Sequence, residues 1–368
     1  MSALPGWLTQ VQQTLPRWID RVSHPDGWGR YRFAVSAYEP YDLDSSHLMH
    51  NVIYTTGGGT AGIPDEEGRG QWCDYLRGLQ RPEDGLMIDE AMEGHILSAS
   101  GRPTQAEVFD VRRFTTRNGL TTLVDLGGKP RYRLAHQESF RTPQQMVAYL
   151  EGLHWDNPWG AGSWAGAAVM FQQFNRLLGD PDAKANIKAA LDWLAMRQDP
   201  RTGAWSDGKC DCLHRLINGI FKIWIQVCAV ADLPIQYPEQ VIDLCITGLT
   251  QDPLLMGTPD ACSIFDVAFV LDVALSYCDH RRDEVADIAL GLLPAFEPMV
   301  QADGAFSYGP EGSLRSHGGL HLAPVAQQSD LAGTAINCHA IALLCSLCGL
   351  GHELSWQPVS RWRGVARG

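Results

Sequence analysis

The chain has 368 residues, 45% of them hydrophobic, with a formal net charge of -13 and an isoelectric point near 5.3. That is enough apolar material for a large core, and the acidic balance would repel phosphate backbones and anionic headgroups, which argues against nucleic acid as a partner. No apolar run reaches the roughly 20 residues that span a bilayer, and the amphipathic stretch 1–22 lacks the basic-then-apolar pattern of a signal peptide.

A cytoplasmic protein acting on a small molecule is therefore expected, with no membrane span. In a chain this long without a secretion signal, the ten cysteines read as reduced thiols. Cys228, Cys245, Cys278, Cys338, Cys345 and Cys348 lie in apolar helical runs, where Cys packs as a small hydrophobe.

Taken in chain order, the sequence repeats a helix end, a turn and a second helix start. The first helix end is Trp18 to Ser23, its turn is His24-Pro25-Asp26-Gly27-Trp28, and the next helix opens near Asp44. The second is Tyr75-Leu76-Arg77-Gly78-Leu79-Gln80, running to Gly85-Leu86-Met87 and a start near Thr104. The third, Tyr149-Leu150-Glu151-Gly152-Leu153-His154, is nearly the same hexamer and precedes a start near Gly162. The fourth is Trp193 to Gln198, with a turn at Gly203-Ala204-Trp205 and a start near Asp211. Cys245 to Thr250 precedes a start near Asp260, and Phe296 to Gln301, with its turn at Asp303-Gly304-Ala305-Phe306, precedes one near Asp330. Pro, Asp and Gly supply each reversal, and small or acidic residues suit the N-caps. Gly57-Gly58-Gly59 falls at a helix end and reads as termination, not as a phosphate loop.

Six outer and six inner helices predict an all-α protein, a single α6/α6 toroid occupying residues 1–368. The frame Trp193-Leu194-x3-Gln198-x4-Gly203-x-Trp205 resembles the QW repeat of terpenoid cyclases and protein prenyltransferase β subunits. That resemblance implies an α/α toroid whose inner helices direct polar groups towards a central cavity. The segment Asp42-Leu43-Asp44-Ser45 is similar to the DxDD motif of class II terpene cyclases. By position it implies Asp44 as the acid that protonates an alkene or epoxide, although Ser45 replaces the third acidic residue. Asp42 and His47 would tune that acid, since a carboxyl kept protonated needs burial and suitable neighbours. Asp44 or Ser45 could equally be the N-cap.

Asp260-Ala261-Cys262 is similar to the Asp-x-Cys zinc ligands of prenyltransferases, with His214 beside Asp211 and Cys212 as a further donor. His339 falls out of register for the third ligand, so no cofactor is expected. Trp155, Trp159, Trp164, Phe171, Trp205 and Trp224 form an aromatic-rich middle that would either line a cation-stabilising cavity or simply be core.

The expected function is acid-initiated cyclisation or isomerisation of an isoprenoid. Asp44, Asp42, His47, His214 and Asp266 are its catalytic candidates, and Trp164, Phe171, Asn218, Trp224 and Asn337 would line the substrate. Polar inner faces carrying His47, His50, Asn51, Gln172, Asn175 and Asn218 favour a second reading. In it, the enzyme is a carbohydrate hydrolase or lyase using a carboxylate pair such as Asp44 with Asp266. A non-catalytic binding toroid is the third.

Overall fold

Helices form wherever apolar residues at helical spacing run between a capping residue and a breaker. The computed structural model, described over residues 4–99, 101–135, 140–228, 230–231, 233–256 and 260–358, is all-α apart from one short hairpin and isolated bridges. Its first pair is α1 (Gly6–Val22) with α2 (Leu43–Thr56), followed by α3 (Glu66–Gly78), the short α4 (Glu90–Glu93) and α5 (Gln105–Asp125). Next come α6 (Pro143–Glu151), α7 (Pro158–Leu177), α8 (Ala183–Arg197) and α9 (Leu213–Ile223), which runs into a π-helical turn Trp224–Cys228. The series closes with α10 (Pro238–Gln251), the short α11 (Pro253–Met256), α12 (Ala261–Leu275), α13 (Arg282–Leu292) with its 3-10 extension Leu293–Met299, and α14 (Leu331–Leu347). This alternation follows the outer and inner helices expected from the sequence and is compatible with an α/α toroid.

Side-chain caps start α2, α3, α5, α6, α12 and α14. Thr104 and Glu107 form a reciprocal capping box on α5, Asp260 accepts from Ser263 N at 2.9 Å, and Asp330 accepts from Gly333 N at 2.7 Å. Three starts differ from expectation. Asp42, not Asp44 or Ser45, caps α2; Leu213 opens α9 with Cys212 as the cap residue; and Pro158 opens α7 four residues before Gly162. Proline suits that position because the first helical N–H has no partner to lose.

Gln80 and Gln198, at two outer helix ends, act as clasps. Gln198 Nε2 donates to Gly203 O at 2.7 Å and Gln80 Nε2 to Gly85 O at 2.8 Å. Both glycines lie in the left-handed region, at φ 69° and 75°, where a Cβ would be strained. The Trp205 indole closes the same turn by donating to Leu194 O at 2.8 Å.

Contacts divide the chain into two compact units. The first comprises Met1–Tyr132 and Leu290–Val359, so it contains both the beginning and the end of the repeat series. Within it, α2 packs against α14 and α5, and α5 against α3. Its first helix is tied to the last repeat: Thr14 Oγ1 donates to Gly304 O at 2.8 Å, and Ser355 Oγ to Gln12 Oε1 at 2.6 Å. In the second unit, which includes Arg133–Ala289, α7 packs on α9 and α8, α12 on α9 and α10, and α6 on α8.

Cys245, Cys338 and Cys345 are buried free thiols, as packing predicts, and Cys278 and Cys348 are free and half-buried. The Cys228 side chain lies outside the described residues. No described helix is long and apolar enough to cross a membrane.

Candidate functional site

In the first unit the chemistry gathers at the N-terminus of α2. Asp42 Oδ1 accepts from Ser45 N at 2.7 Å and its Oδ2 from Ser45 Oγ at 2.5 Å, which starts the helix and places Asp44 in its first turn. There the unpaired backbone N–H groups favour negative charge. Asp44 has no exposed surface. Its Oδ1 accepts from Asn118 Nδ2 of α5 at 3.2 Å, and its Oδ2 lies 2.5 Å from His317 Nδ1.

His317 comes from the hairpin β1 (Ser316–His317) and β2 (Leu320–His321). Gly318 and Gly319 form its two-residue turn at φ 56° and 88°, the left-handed pair that matches the twist of a hairpin. The imidazole sits between Phe33, stacked at 6.4 Å, and Phe114, edge-on at 5.5 Å. A Cβ on Gly318 would lie 2.1 Å from the Phe114 ring, so the close approach requires glycine. Asp330 secures the segment leading into the hairpin, its Oδ2 accepting from Tyr308 N and Leu314 N, both at 3.0 Å.

Burial governs the surrounding carboxyls. It pushes Asp42 up to about 8, with the neighbouring Asp44 charge adding to the rise against the Ser45 hydrogen bonds. Asp89, whose Oδ2 accepts from Leu43 N at 3.0 Å, is also raised by burial. Asp330 is raised to about 6 by the same cause, opposed by three backbone donors and His317. His47, the other candidate on α2, lies 2.9 Å from Thr122 Oγ1 and 3.5 Å from Asn51 Nδ2, not on Asp44. Beside Asp44 is a cavity of ≈ 20 Å³ with walls that include Leu43, Met87, Val111 and Leu320. It has room for about one water molecule.

The second unit holds His214, Asn218 and Asp266. His214 Nε2 lies 3.1 Å from the Asn218 carboxamide, oriented so that its oxygen accepts from the ring and its nitrogen donates to Asp266 Oδ2 at 3.3 Å. The ring also lies 3.2 Å from Ser263 Oγ, which donates to Asp260 Oδ1 at 2.9 Å. A Ser263 hydroxyl committed to Asp260 must accept from His214, so Nε2 carries the proton. Burial lowers the His214 pKa against the pull of Asp252 and Asp260. Asp266 is 1% exposed and raised to about 8 by burial; its Oδ1 has no hydrogen-bond partner.

Asp44 thus belongs to the first unit, and His214 and Asp266 to the second. Asp260 serves as a helix cap, and among the described residues no group of three or more His, Cys, Asp or Glu is arranged to hold a metal ion. Trp164 is half-buried, whereas Phe171 and Trp224 are buried at 1% exposure. Asn337 is buried and donates to Ser307 O at 3.0 Å. Much of the inner-face polarity is satisfied within the protein. Gln172 Nε2 donates to Phe140 O at 3.0 Å, and Asn175 Oδ1 accepts from Leu134 N at 2.9 Å. These groups therefore need no ligand hydroxyls, contrary to what their polarity alone suggests.

Sequence reasoning missed His317 and Asn118. The signal for His317 is Ser316-His317-Gly318-Gly319-Leu320-His321, a glycine pair flanked by strand-length alternation. Asn118 lies in the middle of a helix and leaves no such mark.

No family model matches this sequence, and no curated protein matches it. Among solved structures the chain is similar to one described as Polysaccharide Lyase BACCELL_00875. Identity is 10%, coverage is 93% of this chain and 97% of the other, and the TM-score is 0.46.

Proposed function

We propose that the chain is a proton-transfer enzyme of the lyase or hydrolase type acting on a carbohydrate, with His317 as the general acid–base and Asp44 as its buried positioning partner. The supporting observation is the order of exposure across the 2.5 Å pair: the Asp44 side chain is 0% exposed and the His317 side chain 20%. A substrate meets the imidazole first. The carboxylate behind it accepts from two donors, which fixes the ring and stabilises the charge it acquires on protonation. An imidazole suits removal of a proton next to a carboxylate or carbonyl, as in β-elimination from a uronic acid, or protonation of a glycosidic oxygen.

The apolar wall beside Asp44 favours a second reading, acid-initiated isoprenoid chemistry with Asp44 itself as donor. That reading needs Asp44 to touch an alkene, whereas the cavity it borders holds about one water. The two readings separate experimentally. Purified protein is incubated with neutral and uronic-acid polysaccharides, monitoring unsaturated products and new reducing ends, and in parallel with squalene and geranylgeranyl diphosphate, monitoring cyclised products. Glycan cleavage lost in His317→Ala supports the first reading; cyclised terpenoid lost in Asp44→Asn replaces it with the second.

A further inference from the structure

Asp44 has two partners, His317 and Asn118, so whatever fixes the Asn118 carboxamide bears on the couple. Its neighbour in sequence, Arg117, does this. Consecutive residues of a helix do not normally face each other. Yet the Arg117 side chain turns so that Nη2 lies 3.2 Å and Nε 3.4 Å from Asn118 Oδ1. A guanidinium carries only donors and a carboxylate only acceptors. Placed between the two, the carboxamide has a single orientation, oxygen to Arg117 and nitrogen to Asp44.

The arrangement follows from the spacing on α5. Phe114, Arg117 and Asn118 stand at i, i+3 and i+4, which brings them to one side of the helix. The Arg117 guanidinium carbon lies 5.1 Å from the centre of the Phe114 ring, and that ring packs edge-on to the His317 imidazole, 5.5 Å between centres. The phenyl face holds the half-buried cation by its quadrupole. Asn118 is 5% exposed, and among the described residues Arg117 is the donor to its Oδ1. Without that donor the oxygen would be a buried acceptor with no partner, a cost that favours turning the amide towards solvent and away from Asp44. With it, a charge-assisted bond on the oxygen polarises the amide and strengthens its N–H donation to the carboxylate.

We propose that Arg117 is a positioning residue for the acid–base couple: it orients Asn118, Asn118 orients Asp44, and Asp44 holds the His317 ring. The inference rests on the His317 and Asp44 reading and extends it by one charged residue.

The test compares the ¹⁵N-labelled full chain with two variants. Arg117→Met keeps a long side chain over Phe114 but has no donor, and Arg117→Lys keeps the charge and a donor. In Arg117→Met the Asn118 side-chain amide resonances, assigned with Asn118→Ser, should shift, and the share of neutral His317 protonated on Nδ1 should fall. On any glycan that the wild type cleaves, its kcat should fall about tenfold with KM unchanged, the scale of one hydrogen bond to a charged group. Arg117→Lys should recover most of both. A merely structural arginine would lower the melting temperature in Arg117→Met and leave the Asn118 resonances and the His317 tautomer as they are, which would overturn the proposal. So would a raised KM at unchanged kcat, the mark of an arginine that binds substrate. If no glycan is cleaved, the catalytic reading fails, and the Asn118 and His317 resonances decide the positioning role by themselves.

Discussion

Two inner helices carry a buried aspartate, and their surroundings give these groups opposite characters. Asp44 is the second residue of α2, within reach of free helix N–H groups, and both its oxygens have partners, Asn118 and His317. Asp266 is the sixth residue of α12. There the backbone donors are already spent on the helix, so the carboxyl keeps one partner, Asn218, and one bare oxygen. The lesson lies in the partners: Asp44 has both oxygens bonded and orients a histidine, whereas Asp266 keeps a bare oxygen and is driven towards its neutral form by burial.

The largest expected effect concerns the first unit's couple. His317→Ala should lower turnover by about 10²–10⁴-fold with the fold retained. The corresponding His214→Ala should lower it far less, because that imidazole is committed to a capping network through Ser263 and Asp260; equal losses in steady-state assays would erase the contrast between the units.

Next in size is the hairpin. Gly318→Ala places a methyl against Phe114 and forces an unfavourable left-handed φ, which should cost about 1–3 kcal/mol in thermal denaturation and displace His317 enough to cut activity at least tenfold. Retained activity would show that the turn does not set the imidazole position.

The third sharpening uses pH. Asp42 and Asp266 have folded pKa values near 8, above their unfolded values. Their neutral forms are favoured in the folded state, so their contribution is complete below the unfolded pKa near 4 and is lost as pH rises through about 8. Thermal stability should therefore fall between about pH 4 and 8, and Asp266→Asn should flatten that fall and be more stable than wild type at pH 9 by at least ~1 kcal/mol. Asp44→Asn should give no such gain, since it places an amide N–H against Asn118 or His317. A similar gain in both variants would contradict the distinction drawn between the two carboxyls.

The smallest effect probes the scaffold both units share. Gln80→Ala and Gln198→Ala each remove side-chain bonds to a turn and to the following segment, through Tyr132 O in one case and Gln236 O in the other. Each should cost about 1–2 kcal/mol by chemical denaturation. A much larger loss for one would mean that the clasps are not equivalent.

The helix series was readable because its signals are local: a glutamine five residues before a left-handed glycine, and an acidic cap before an apolar run. Asp44 was readable for the same reason, standing beside its cap. Its partners were not, since His317 lies 273 residues away and Asn118 lies 74 away, joined to it only by the packing of α2 on α5 and the hairpin. Polar residues such as Asn175 and Gln172 look functional in a helical pattern yet bind backbone groups of a preceding segment, a contact that no periodicity reveals.

The central claim is that Asp44 holds the His317 ring in one state, and nitrogen chemical shifts of the imidazole report this directly. In ¹⁵N-labelled protein, with His317 assigned by comparison with His317→Gln, the neutral ring should carry its proton on Nδ1, facing Asp44, and Asp44→Asn should abolish that preference. A wild-type ring protonated on Nε2 alone when neutral, or a tautomer unchanged in Asp44→Asn, would contradict the account.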